Sequence, residues 1–474
     1  MRGRATVVLD VGKTLSKLSL WDPDGRQIAY RSRANDRIDT GAYTALDAEG
    51  IEEFVAESLT SFARLADIGA IIPVSHGAGA AIIADRELVL PPLDYEHPIP
   101  AAIRRDYDTQ RDPFTATGSP ALPDGLNLGA QLYYLEATHP DLFDTEITIL
   151  PWAQYWSWLL SGVAASEITS LGCHTDLWQP LARTPSELSV RRGWSRHIAP
   201  LQPAGAVLGR ITPTWARRTG LWHHVEVHCG LHDSNAALLA ARAFPEIAEN
   251  ESTVLSTGTW FVGMRTPAAG VSVDIASLDE KRDCLVNIDA FGNPIPSSRF
   301  MGGREIELLT GLDTRRIDIR PDQPVLVASV TNVLDTDAAV LPTLAPGCGP
   351  FPHGRGRWTS MPDDETHRRT AVCLYAALIA DAALDLVGAR ERLLIEGRFS
   401  ESEVFVRALA ALRPNTHVYV SHARSDVSFG ALRLVHPELQ PPTSLVRVLP
   451  LAESLYSYRD RWRQEAERTE RASA

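Results

Sequence analysis

A two-domain α/β fold is what this sequence predicts, on three observations. Its 474 residues exceed what one ordinary core organises, so two domains or more are expected. Residues 51–66 (IEEFVAESLTSFARLA) carry apolar side chains at helical spacing, and the apolar run 68–74 (IGAIIPV) follows; behind an opening strand pair, that is the order of an α/β domain. One design also occurs twice, at residues 7–20 and 253–262: an apolar run enters a tight turn of Gly and hydroxyl residues, and another apolar run leaves it. Such a pattern, opening each half, implies an internal duplication with phosphates held between the halves.

Composition narrows the function classes. Hydrophobic residues make up 44% and charged residues 22%, an ordinary globular balance. The net charge of −13, with no basic run, argues against nucleic acid or an anionic membrane as partner. The start MRGR passes directly toward the first strand without an apolar leader, and no stretch of about 18 apolar residues occurs. The five cysteines (173, 229, 284, 348, 373) are scattered without a C-x-x-C pair. Reduced, mostly buried thiols in a cytoplasmic protein are the expectation. The Asn-Glu-Ser sequon at Asn250 is then a chance match.

The first hairpin gathers its polar residues at the bend, Asp10-Val-Gly12-Lys13-Thr14. A turn of this kind places backbone N–H groups, a cation and a hydroxyl around a phosphate, and its Asp can hold Mg²⁺. A P-loop is excluded, because that loop needs Gly five residues before Gly12, where Val7 stands. A charged surface hairpin is the plainer alternative. The strand 68–74 ends at Ser75-His76-Gly77, where ligands commonly sit in α/β sheets; a structural turn histidine is the alternative there.

Asp85-Arg-Glu87 reads as a turn before 88–93, which delivers Asp94-Tyr95-Glu96-His97. Residues 101–125, rich in Pro, Asp and Thr, read as irregular, and 129–136 as the start of a helix. The aromatic stretch 152–160 (WAQYWSWLL) is core packing by default, although Trp and Tyr also suit the apolar faces of a sugar. Gly172-Cys173-His174-Thr175-Asp176-Leu177-Trp178 brings several hydrogen-bonding side chains together. Strand alternation over 222–229 would put His224, Glu226 and His228 on one face, but so dense a run on one strand does not readily close a tetrahedral metal shell. Asp233 follows at once, before the helix former 236–243, where a carboxylate is electrostatically favoured; a plain N-cap is the alternative.

Residues 244–252 (FPEIAENES) read as a hinge, and the second hairpin with Ser256-Thr257-Gly258-Thr259-Trp260 follows. Gly302-Gly303 leads into a helix, 348–358 reads as a loop without secondary structure, and 368–387 has long helical periodicity. A strand from 393 then runs through Gly397 into a helix over 404–412; a Gly at that junction lets a flat ring or phosphate approach the backbone. Ser428-Phe-Gly430 begins another helix, and 453–474 is a charged helical tail.

These motifs together resemble the FGGY carbohydrate kinases of the actin-like ATPase superfamily. Asp10-Val-Gly12-Lys13-Thr14 with Lys17 is similar to their first phosphate motif and Ser256-Thr257-Gly258-Thr259-Trp260 to their second. Gly230-Leu-His232-Asp233 is similar to the segment with the catalytic Asp, Glu396-Gly397-Arg398-Phe399 to the adenosine segment, and Gly430-Ala-Leu to the helix after it. Within the family, the first motif, Leu93-Asp94-Tyr95-Glu96-His97 and residues 172–178 look most like the rhizobial-type L-rhamnulokinase branch. Glu396 before a single Gly397, and Glu403 further on, depart from the frequent Gly-Gly-Gly and Asn of the adenosine segment. Ser75-His76-Gly77 keeps only the His-Gly of the xylulokinase Met-His-Gly.

The resemblance implies two actin-like (ribonuclease H-like) domains, each with a mixed sheet flanked by helices, binding ATP and sugar in the cleft between them. Their expected bounds are 1–245 and 246–440, with a charged tail at 441–474. It implies ATP-dependent phosphorylation of a ketose hydroxyl, best matched to L-rhamnulose, with L-fuculose, xylulose, ribulose or a polyol as alternatives. Asp233 is the implied general base, and Asp10 and Asp233 the implied Mg²⁺ ligands. Gly12, Lys13, Thr14 and Lys17, with Thr257, Gly258 and Thr259, would hold the phosphates. Gly397, Phe399 and Ser400 would stand on the adenosine side, and His76, Asp94, Gln154, His174 and Asp176 would bind sugar hydroxyls. A homodimer is open. A non-catalytic sugar- and nucleotide-binding regulator would need no Asp233, and a chaperone ATPase would need more chain beyond 440.

Overall fold

A computed structural model describes residues 3–313, 318–421 and 427–473; Met1 and Arg2 of the expected lead-in and Ala474 of the expected tail lie outside them. Contacts divide the chain into two units. The first comprises Met1–Ala240, Val286–Pro294 and Asp426–Gln440, the second Ala241–Leu285, Ile295–Ser425 and Pro441–Ala474. The break thus falls at 240 against the expected 245, two later segments return to the first unit, and 441–474 joins the second.

In the first unit the strand Ala5–Val11 is buried at every position, as an apolar run enclosed on both sides must be. It pairs antiparallel with Leu15–Trp21 and parallel with Ile68–Ser75. The sheet runs in the order Val207–Arg210, Glu226–His228, Ile68–Ser75, Ala5–Val11, Leu15–Trp21, Gln27–Ala34, and Leu231–His232 also pairs with Ile68–Ser75. The helix Ala48–Phe62 starts three residues before 51 because the Asp47 carboxylate accepts from the Gly50 N–H at 2.9 Å. Its Ile51, Phe54, Val55, Leu59 and Phe62 are buried in the core of this unit.

The aromatic stretch is the helix Trp152–Ser161, with Trp152 stacked on Tyr155 at 5.1 Å between ring centroids and edge-on to Trp156 at 5.0 Å. These rings are core. Residues 101–125, expected to be irregular, are so at 111–113 and 118–125 but form the helix Ala101–Gln110 and the turn Phe114–Thr117. Pro100 stands just before the helix, where its missing N–H loses no bond, and Tyr107 anchors the segment as a buried residue. Only Glu226–His228 of the histidine-rich run is strand. His224 lies 3.2 Å from Asp67 and the His228 Nδ1 lies 2.9 Å from the Gly205 carbonyl oxygen, so the two histidines have separate partners. Among the described residues no group of three His, Cys, Asp or Glu can hold a metal.

The second unit carries a sheet in the order Cys284–Ile288, Pro294–Phe300, Phe261–Thr266, Ser252–Thr257, Arg392–Gly397, His417–Val420, Val446–Arg447, although residues 286–294 group with the first unit. It repeats the first sheet's centre: Ser252–Thr257 is antiparallel to Phe261–Thr266 and parallel to Arg392–Gly397. The long helix is Glu365–Leu386, begun by Asp364, whose carboxylate accepts from the His367 N–H at 2.9 Å. The loop 348–358 is not wholly irregular, since Arg357–Trp358 pairs with Val340–Leu341.

The tail helix Tyr456–Ser473 is charged outside but buries Tyr458, Trp462 and Ala466 in the core of the second unit. The Trp462 indole donates to the Val340 carbonyl at 2.6 Å, and Arg463 bridges Asp381 at 2.5 Å and Asp385 at 2.7 Å. Arg413 meets the same two carboxylates at 2.8 Å each. No described helix is long and apolar enough to cross a membrane.

Candidate functional site

The first turn is closed by backbone and by one side chain the motif reading passed over. The Gly12 N–H donates to the Leu15 carbonyl at 3.1 Å, and a Cβ on Gly12 would lie 2.9 Å from that oxygen. Asn35 then staples the turn from the end of the neighbouring strand. Its side-chain amide donates to the Gly12 carbonyl at 2.7 Å, its N–H to the Thr14 carbonyl at 2.9 Å, and its Oδ1 accepts from Ser16 at 2.7 Å. No spacing rule joins position 35 to position 12. Asp10 and Lys17 face each other across the antiparallel register, with 3.2 Å between Nζ and Oδ2. Thr14 is exposed at the bend.

Lys13 leaves this group. Its ammonium pairs with Asp94 and sits 4.5 Å from the Tyr95 ring centroid. Burial lowers its pKa against the opposing pull of Asp94 and Glu96. Asp94 is fully buried: Oδ1 also accepts from the Glu96 N–H at 2.8 Å, and Oδ2 lies 3.3 Å from the Arg37 Nε, a charge contact without hydrogen-bond geometry.

The parallel register His232↔Ser75 places Asp233, the first residue of the helix Asp233–Ala241, level with His76 at adjoining strand ends. The His76 N–H donates to the Val11 carbonyl at 3.1 Å, its Nδ1 lies 2.6 Å from the Gly77 oxygen, and its buried Nε2 meets no partner among the described residues. Burial pushes its pKa down. The His232 Nε2 is 3.3 Å from Asp233 Oδ1 and 3.8 Å from Cys173 Sγ. Burial works against the charged form of both partners. Even so, the neighbouring His174 and His232 bring the Cys173 thiol down to about 5, and Cys173 with Asp233 brings His232 up to about 9. The Cys173, His232 and Asp233 side chains thus stand in a row behind the strand ends, each within 3.8 Å of the next. Gly77 faces them, where a Cβ would meet the His232 Nε2 at 2.8 Å.

The other expected sugar ligands are placed differently. Gln154 donates to the Cys229 and Gly230 carbonyls at 3.1 and 3.2 Å, supporting the bend that leads to Asp233, and its Oε1 is buried without a described partner. The His174 Nδ1 lies 2.8 Å from the Leu126 oxygen. Asp176 is 1% exposed with both oxygens engaged: Arg111 clamps it at 2.8 and 2.9 Å and the Tyr107 hydroxyl donates to it. Those contacts hold the helix Ala101–Gln110 and the residue after it, so in this structure Asp176 serves the 101–125 segment.

Glu167 lies behind this wall. Its Oε2 accepts from the Thr169 N–H and hydroxyl at 2.9 and 2.5 Å and from the Ser170 N–H at 3.2 Å, while the same hydroxyl accepts from the His232 N–H at 3.0 Å. Burial raises its pKa from 4.5 to about 7 despite those donors. The native state therefore holds a proton that the unfolded chain releases. The stability this contributes is complete below pH 4.5 and is lost as pH rises through about 7, a swing on the order of 3 kcal/mol. Glu167→Gln keeps the acceptor and cannot ionise. The wild type is expected to lose Tm relative to Glu167→Gln between pH 5 and 8, as a pair of thermal denaturation series would show; parallel series would refute it.

In the second unit the turn 258–260 is closed by the Gly258 N–H donating to the Trp260 carbonyl at 3.0 Å, and Thr259 is exposed. Thr257 is buried: its hydroxyl donates to the Glu396 carbonyl at 2.5 Å and accepts from the Phe399 N–H at 3.1 Å, tying the hairpin to the segment 396–399. Ser256 donates to Glu396 Oε1 at 2.6 Å. Gly397 has φ +83°, and a Cβ there would lie 2.3 Å from the Thr257 carbonyl, so no other residue fits. The Phe399 ring is buried against Phe261, 5.2 Å between centroids, and Ser400 donates to the Gly397 carbonyl at 2.7 Å. Beside Phe399 opens a mainly apolar cavity lined by Ile306, Gln323, Leu326, Cys373 and Phe405.

Residues 249–442 match the family model for the carbohydrate kinase FGGY C-terminal domain. A carbohydrate kinase from Novosphingobium aromaticivorans is 55% identical over 97% of this chain and 100% of its own, with a TM-score of 0.93. A xylulose kinase from Lactobacillus acidophilus (14% identity, 99% and 98% coverage, TM-score 0.79) and an ADP-bound glycerol kinase from Plasmodium falciparum (12%, 98% and 98%, 0.79) share the fold. A search of curated proteins finds no match.

Proposed function

The chain belongs to the FGGY carbohydrate kinase family and is a carbohydrate kinase, and from this we propose that it transfers the γ-phosphoryl group of ATP to a hydroxyl of a ketose, L-rhamnulose first. The observation that carries the reading is Asp233 at the head of its helix, level with His76, with its carboxylate against the His232 Nε2.

Asp233 takes the proton of the sugar hydroxyl as that oxygen bonds to the γ-phosphorus. The bond from the γ-phosphorus to its bridging oxygen breaks, and ADP leaves with the electron pair. His76 offers to the sugar its Nε2, which meets no partner among the described residues. Gly12, Thr14 and Lys17, with Gly258 and Thr259, take the phosphates. Thr257 acts through its hold on segment 396–399. Gly397, Phe399 and Ser400 shape the adenosine side, where the apolar cavity suits a flat base.

Asp10 and Asp233 are the carboxylates that would hold Mg²⁺, supplying oxygen donors of the kind this ion takes alongside water and nucleotide phosphates. Bound there, Mg²⁺ would supply neutralisation of the phosphate charge.

L-Rhamnulose is favoured by the motifs at 10–14, 93–97 and 172–178. ADP production from Mg-ATP with L-rhamnulose, L-fuculose, xylulose and ribulose is expected to single out L-rhamnulose. Another ketose in its place would move the substrate within the class, and background rates with all of them would refute the ketose reading.

A further inference from the structure

We infer that Lys13 is a positioning residue for the sugar side, not a phosphate ligand. It ties the first turn to the loop Asp94–Tyr95, and through Tyr95 to His76. The inference rests on the kinase reading for its sugar and on the structure alone for the fate of Lys13.

Two observations make the lysine a tie. Its ammonium is paired with a carboxylate of zero exposure, lies 3.9 Å from Glu96, and sits over the Tyr95 face, with its own side chain 10% exposed. Turning it toward a polyphosphate would leave the buried Asp94 with the Glu96 N–H and the half-exposed Arg37 at 3.3 Å, and would give up a desolvated cation–π contact. Lys17, by contrast, is 37% exposed beside Asp10 and places a cation within reach of an arriving phosphate.

The tie has a downstream end. The Tyr95 ring stands edge-on to His76, with centroids 5.5 Å apart and planes at 76°. His76 is a buried imidazole whose Nε2 meets no described partner, next to the strand end that carries Asp233. Lys13 on one face of Tyr95 and His76 at its edge fix the ring between them. Loosening Lys13 frees Tyr95 and lets His76 drift. The loop itself is anchored from its other side, since the Asp94 N–H donates to the Thr44 carbonyl at 3.0 Å and the Thr44 N–H to the His97 Nδ1 at 3.2 Å. Removing the tie therefore disturbs one corner of the site and not the sheet.

The test separates the two ligands. In Lys13→Met the ADP dissociation constant, by calorimetry, is expected within about twofold of wild type and the KM for Mg-ATP likewise, whereas the sugar KM rises about tenfold or more. Asp94→Asn is expected to raise the sugar KM similarly, the double variant to add little to either, and Lys13→Arg to restore most of the loss. A rise of about tenfold in the ADP dissociation constant of Lys13→Met with an unmoved sugar KM overturns the inference and returns the lysine to the phosphates. Should Lys13→Met fail to fold, the double variant, which buries no unpaired charge, answers the same question. If no ketose is turned over the ketose reading falls by itself, and the ADP titration still decides Lys13: unchanged affinity supports the tie and lost affinity refutes it.

Discussion

Asp233→Asn is expected to lower kcat by about 10³-fold while the protein stays folded. Asparagine matches the carboxylate in shape and cannot take a proton, so the hydroxyl must attack without its base. The fold has little reason to respond. Asp233 opens a helix, and the loss of one carboxylate at that position is worth about 0.3–1 kcal/mol. The His232 imidazole loses one neighbour and retains the Cys173 thiol at 3.8 Å. Single-turnover ADP formation measures the chemical step, and a melting curve run beside it guards against a trivial loss. A rate within tenfold of wild type would place the base elsewhere.

Gly430→Ala is expected to be the most damaging change outside the polar site. The helix Val427–Leu432 meets the helix Asp233–Ala241 so closely that a Cβ on Gly430 would lie 1.7 Å from the Ala236 carbonyl oxygen and 3.0 Å from the Ala240 nitrogen. Both obstacles are backbone, so no rotamer relieves them. The helices must part, uncovering Ala431 and Leu432, which pack with Val8, Ile72, Val74 and Leu231. Overpacking of this kind costs about 3 kcal/mol or more. Chemical denaturation is expected to show that loss, and activity to fall further because the displaced helix carries Asp233. A midpoint unchanged from wild type would mean that the two helices do not meet at Gly430.

The polar turns were legible from sequence because alternating apolar runs and a glycine mark a hairpin within a few residues. What the turns contact was not. Lys13 reads as a phosphate cation from its neighbours, but its partner Asp94 is 81 residues away. Thr257 reads as a phosphate ligand, yet its hydroxyl is engaged 139 residues on. Asp176 reads as a candidate sugar ligand, yet Arg111 closes on it from a segment expected to be irregular. That expectation missed the helix because the prolines of the stretch, at 113, 120 and 123, all lie beyond it, and Pro100 stands just before it. Local pattern reports which face of an element is buried, and long-range electrostatics choose the partners.

The first unit is made of three stretches, the last at Asp426–Gln440. During synthesis its sheet can form once about half the chain has emerged, but the apolar surface of Val8, Ile72 and Leu231 waits for Ala431 and Leu432. Contacts across so long an interval are entropically slow to make. The nascent chain therefore exposes a sticky face through most of the second half of its translation, and a fragment cut near residue 245 would keep that face permanently. Chaperone dependence of expression, more than melting temperature, is where this topology would be felt in a cell.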